Sequence, residues 1–105
     1  MKSLPLNSLQ FKEEVQKDFS PENPFSPSKV VRNIFTLAAQ KRFPNGTNSE
    51  HQRLFFKILE KLDGDCELED SEFNFLFDTF QVDLPLSIAI PPILDFLQEI
   101  KFKTA

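Results

Sequence analysis

Asp63, Asp65, Glu67, Glu69 and Glu72 stand within ten consecutive residues, with Asp70 among them. A hard divalent cation such as calcium takes about six to eight oxygen ligands, and closely spaced carboxylates on one loop are the usual supply. The stretch also holds the chain's single cysteine, Cys66; its single histidine, His51, lies upstream. A thiol paired with an imidazole can act as a nucleophile only where folding brings the two together. Carboxylates around Cys66 disfavour the thiolate that such chemistry needs.

The elements that would position this loop are readable on either side of it. Leu54, Phe55, Ile58, Leu59 and Leu62 recur at helical spacing before it, and Phe73, Leu76, Phe77 and Phe80 recur after it. Each set gives one apolar stripe on one helix. The stretch from Leu54 to Phe80 therefore predicts a helix, an acidic loop and a second helix. On this reading Asp70 and Ser71 cap the second arm, and Glu69 and Glu72 complement its N-terminal dipole.

The segment Asp63-Gly64-Asp65-Cys66-Glu67-Leu68, with Glu72-Phe73 following, resembles the centre and end of an EF-hand loop. It is also similar to the acidic helix–loop–helix of tellurite-resistance-type helical domains. The resemblance covers about a dozen residues. It implies calcium as a cofactor, held by Asp63, Asp65, Glu67, Glu69 and Glu72. In the register that puts Leu68 in the apolar slot and Glu72 at the closing position, the first ligand position falls on Lys61 and the bend glycine becomes Cys66. An ammonium donates hydrogen bonds and accepts none, so it cannot ligate a cation. Taking Asp63 as the first ligand leaves the loop two residues short. The structural reading, a capped helix with no cofactor, therefore leads, and calcium is the alternative.

Elsewhere the chain reads as further short helices. Met1 to Pro5 is expected to be a loose arm. Asn7 and Gln10 have the spacing of a capping box, opening a first helix to about Phe19 with Phe11, Val15 and Phe19 at four-residue steps. Ser20 to Ser26 is a Pro-rich link, and Phe25 within it either tucks over the core or joins a docking surface. Ser26-Pro27 starts a second helix to about Arg42, with Val31, Ile34, Phe35 and Ala38 inward. Lys29, Arg32, Lys41 and Arg42 give it a basic tinge, read as a solvated face. A turn at Phe43–Ser49 follows, and Thr47 with Glu50 opens the third helix. After the acidic hairpin, Ser87–Ile90 is short and apolar, and Pro91-Pro92 starts a last helix to about Lys103. The predicted architecture is all-α: a compact bundle of about five short helices, in one domain over residues 1–105.

The totals exclude several classes. The 105 residues suit one core. A net charge of −4 argues against a phosphate-backbone binder. A helix–turn–helix nucleic-acid reading, with Glu50, His51, Gln52, Arg53 and Lys57 on the recognition helix, stays as a weak alternative. One cysteine fits a reducing compartment, and residues 1–20 hold Glu13, Glu14 and Asp18 without a long apolar run, so a cytoplasmic protein without a membrane span is expected. Two glycines and no assembled nucleophile, phosphate loop or Cys/His metal spacing leave no catalytic residue to name, so no enzyme is expected.

The composition also points to a surface. There are 13 Phe residues and no Trp or Tyr, so the aromatic rings carry no polar handle and favour burial. Phe56 and Phe75 point off the core stripes of the central helices. Other helices cover them, or they bind a partner. The expected function is a small helical interaction or regulatory module. It would grip a protein partner through Phe56 and Phe75, with Phe25 as a further candidate.

Overall fold

The computed structural model describes residues 1–17 and 19–102. Its elements run β1 (Lys2–Leu4), a 3-10 turn (Leu6–Ser8), α1 (Glu13–Gln16), α2 (Pro27–Arg42), α3 (Ser49–Lys61), β2 (Cys66–Leu68), α4 (Asp70–Thr79) and α5 (Ile90–Phe102). The chain is mostly helical, as its stripes predict. The purely all-α expectation is amended by β1 and β2, which pair antiparallel with Leu4 opposite Cys66 and Lys2 opposite Leu68.

The N-terminus departs most from expectation. The arm expected to be loose is a strand, and Leu4 and Leu6 are fully buried. The helix expected from Asn7 is broken up: among the described residues a 3-10 turn holds Asn7, non-helical chain follows, and α-helix is confined to the four residues of α1 around buried Val15. Asn7 does not cap a helix. Its backbone N–H donates to Asp65 Oδ1 at 2.8 Å, tying the arm to the acidic loop. The physical reason lies in Leu4, Leu6, Leu9 and Phe11, all buried. They recur at steps of two or three, and the i, i+2 steps suit extended chain. Pro5 removes a backbone donor beside them. Four leucine and phenylalanine side chains outweigh the thinner Phe11–Val15–Phe19 stripe.

The longer helices fall close to their predicted limits. Val31 and Phe35 on α2, Ile58 on α3, Phe73 and Leu76 on α4 with Phe80 at its end, and Ile93 and Leu97 on α5 are buried in one cluster, and Ala38 on α2 is also buried. Lys103, placed at the end of the last helix by the sequence, lies outside the described residues. Two caps are shifted by one residue. Asn48, not Thr47, caps α3 by accepting from the His51 N–H at 2.8 Å. Glu69, not Asp70 or Ser71, is the N-cap of α4. Among the described residues no helix is long and apolar enough to cross a membrane.

Gly64 makes the bend between α3 and β2 at φ 74°. A side chain disfavours that left-handed conformation, although a Cβ there would meet only Asn7 at ordinary contact distance. Gly64→Ala is accordingly expected to cost about 1 kcal/mol, read as a modest loss in a thermal melt with the fold retained.

Candidate functional site

Two regions gather the residues singled out above: the acidic hairpin, and the aromatic surface between α2 and α3.

In the hairpin the carboxylates do not act as one group. Asp63, Asp65, Glu67 and Glu69 are exposed. Asp65 accepts from Asn7, and Glu69 sits at the α4 cap. Glu72 is different. It is 1% exposed, and its Oε1 accepts from Lys61 Nζ at 2.7 Å and from the Glu69 backbone N–H at 2.8 Å. Its Oε2 is buried without a hydrogen bond, and Lys57 Nζ lies 4.0 Å away. Burial pushes the Glu72 carboxyl up. The Lys61 ammonium, the Glu69 N–H and the Lys57 charge outweigh that, and hold it below its ordinary range. The bond to Glu72 correspondingly raises Lys61, against partial desolvation.

Lys61 and Glu72 are the first and last positions of the loop register set by Leu68. The structure joins them directly, so a lysine charge links the end of α3 to the first turn of α4. Among the described residues no group of three or more His, Cys, Asp and Glu side chains is arranged to hold a metal ion. Cys66 is half-buried, and its thiol is pushed up by desolvation and by Asp65. His51 lies near the start of α3, about 15 Å before that helix ends at Lys61 at 1.5 Å per residue, and its Nδ1 meets Thr47. No hydrogen bond joins His51 to Cys66.

The three phenylalanines singled out for partner contact have separate fates. Phe25 folds back, edge-on to Phe11 and Phe19 at 6.1 and 5.4 Å. Phe75, off the core stripe of α4, is covered by other helices: it is 7% exposed and packs on Phe35 and Phe43. The cover has a physical cause: α4 is enclosed on two sides, so the face opposite its stripe meets α2. Phe56 is 59% exposed, with its ring edge-on to Phe55 at 5.1 Å.

Phe56 stands on the rim of a hollow of about 520 Å³ between α2 and α3. Ala39, Phe43, Phe55, Leu59 and Phe75 line it with His51 and the polar ends of Thr36 and Gln52. The packing gives His51 and Arg42 places that the sequence did not assign them. His51 is half-buried between Phe43 and Phe75, at 5.4 and 5.5 Å. Thr47 Oγ1 meets His51 Nδ1 at 3.0 Å, which sets the ring's orientation. The i, i+4 spacing of Thr47 and His51 was the available signal. Arg42 was read as solvated. It lies over the Phe43 and Phe75 rings and donates to Thr79 Oγ1 at 2.9 Å, which holds two of the rings that line the hollow.

A smaller hollow of about 210 Å³ continues the groove past Thr36 and Leu59, which line both. Its other walls are Phe19, Asn23, Lys29, Arg32 and Asn33. The groove is thus aromatic at one end and basic at the other. Comparison with protein-family models, with curated proteins and with solved structures finds no match for this chain.

Proposed function

We propose that the protein is a small non-enzymatic interaction module that docks a protein partner in the α2–α3 groove. The observation that carries this reading is Phe56. A phenyl ring left 59% in water forgoes a large part of the roughly 1.5–3 kcal/mol that burial would return. It stands beside an apolar hollow of about 520 Å³ rather than alone on a polar face. An aromatic residue at the edge of a concave aromatic surface is the usual anchor of a protein–protein contact. A second cavity, of about 510 Å³ between β1 and α5, mixes polar Lys2, Ser3, Ser8 and Glu99 with apolar Met1, Pro5, Phe96 and Ile100, and the one ring among these, Phe96, is half-buried rather than exposed.

The test is a substitution at the ring that leaves the core alone. Phe56→Asp is expected to keep the helical circular dichroism and melting temperature, because the residue is exposed. It should remove one protein from the set that co-purifies with the chain in its native extract, identified by mass spectrometry. Phe102→Asp, at another exposed ring (74%), is the control and should retain it. Equal retention by both variants would count against the groove.

A further inference from the structure

We infer that the occupant of the α2–α3 groove is an acidic amphipathic helix of another protein, with apolar anchors about two turns from a carboxylate that pairs with Arg32. This rests on the docking reading above and adds the chemistry of the partner. The whole chain carries a net charge of −4, yet among the described residues no Asp or Glu lines either hollow of the groove. The cations at its basic end lack charged partners among the described residues. Lys29 Nζ donates only to neutral oxygens, Asn23 Oδ1 at 3.0 Å and the Pro24 carbonyl at 2.9 Å. The Arg32 guanidinium makes no hydrogen bond or ion pair with a described residue. A basic wall whose described residues include no carboxylate, on an acidic protein, is complementary to an acidic ligand.

Spacing sets the ligand's pattern. Ala39 and Gln40 flank the aromatic hollow, and Arg32 lies seven to eight residues earlier on the same helix. At 1.5 Å per residue that is about 11–12 Å, or two helical turns. A ligand helix lying along α2 therefore places apolar residues at i and i+3 or i+4 against Phe43, Phe55 and Phe56. A carboxylate seven residues from the first of them reaches Arg32. The lining of the aromatic end favours a protein helix over a nucleic acid, whose phosphates would have no counterpart there.

The experiment is a displayed library of 16-residue helical peptides, randomised along one face and selected on the full chain. Enriched peptides are expected to carry an apolar pair with Asp or Glu about seven residues from it. They should lose binding to Phe56→Asp and weaken about tenfold or more on Arg32→Glu, and selection on that variant should favour Lys or Arg at the same place. A library giving no binder that depends on Phe56 would overturn the docking reading and this inference together. Binders that need Phe56 but show no acidic preference, and bind Arg32→Glu equally, would overturn only the charge assignment. A labelled DNA duplex bound at low salt by wild type and Phe56→Asp, but not by Arg32→Glu, would show that the basic wall serves phosphate instead.

Discussion

Phe35→Ala is expected to lower the melting temperature by roughly 15–30 °C, equivalent to about 4 kcal/mol in a domain of this size. Phe35 is fully buried and is the ring on which three others converge. It stacks on Phe55 at 4.9 Å and on Phe80 at 6.2 Å, and meets Phe75 edge-on at 6.4 Å. It therefore joins α2 to both α3 and α4. Truncation removes the transfer free energy of the ring and leaves a cavity that three helices would have to close together. Native stabilities are on the order of 5–15 kcal/mol, so this one change consumes much of the total. Phe35→Leu keeps most of the volume and should cost only about 1 kcal/mol. With no Trp or Tyr in the chain, melts are followed by far-ultraviolet circular dichroism. A fall of only a few degrees for Phe35→Ala would show that the aromatic cluster is not the junction of the helices.

Glu72→Ala is expected to cost about 3 kcal/mol, and Glu72→Gln about half of that. Alanine removes both the bond from the Glu69 N–H and the ion pair with Lys61. Glutamine keeps an acceptor for the N–H and loses the charge. Lys61 retains solvent on one side, with its side chain 31% exposed, which keeps the effect below that of a fully desolvated pair. The pH dependence follows from the direction of the shift. Glu72 is held below its ordinary 4.5 in the folded chain. Its contribution is therefore fully present above about 4.5 and is lost as pH falls through the lowered folded value. Lys61 is raised above its ordinary 10.5, so its share is lost as pH rises beyond that. Melts between neutral pH and about pH 3 should show wild type losing stability on the acid side more steeply than Glu72→Gln. Parallel curves would show that the pair contributes nothing. At about millimolar calcium the wild-type melting temperature is expected to stay put, since the buried carboxylate of the loop is already paired with an ammonium. A rise of several degrees would instead support the calcium reading of the EF-hand resemblance.

The parts of the fold visible in the sequence were those written as long stripes. Val31, Phe35 and Ala38 on α2 and Phe73, Leu76 and Phe80 on α4 repeat at helical spacing, and a helix follows from that alone. The β1–β2 pair was hidden for the opposite reason. Three residues at each of two places more than sixty positions apart carry no period, and only tertiary pairing makes them strands. The cover over Phe75 stayed open in the sequence because a stripe marks one buried face, and α4 has two. The groove was partly legible through Phe56. His51 and Arg42 were not, because each takes its role from rings that only the packing of α2, α3 and α4 brings beside it. Lys61 at the first loop position was visible as a conflict with the calcium pattern. Its bond to Glu72 shows where that charge goes.

The docking surface is tested most directly by placing a photoreactive benzoylphenylalanine at position 56 and irradiating the chain in its native extract. The expected result is one cross-linked protein at position 56, attached through a helical segment, and none of that product with the probe at position 102. Cross-links that form equally at both positions, or only at position 102, would contradict a binding groove between α2 and α3.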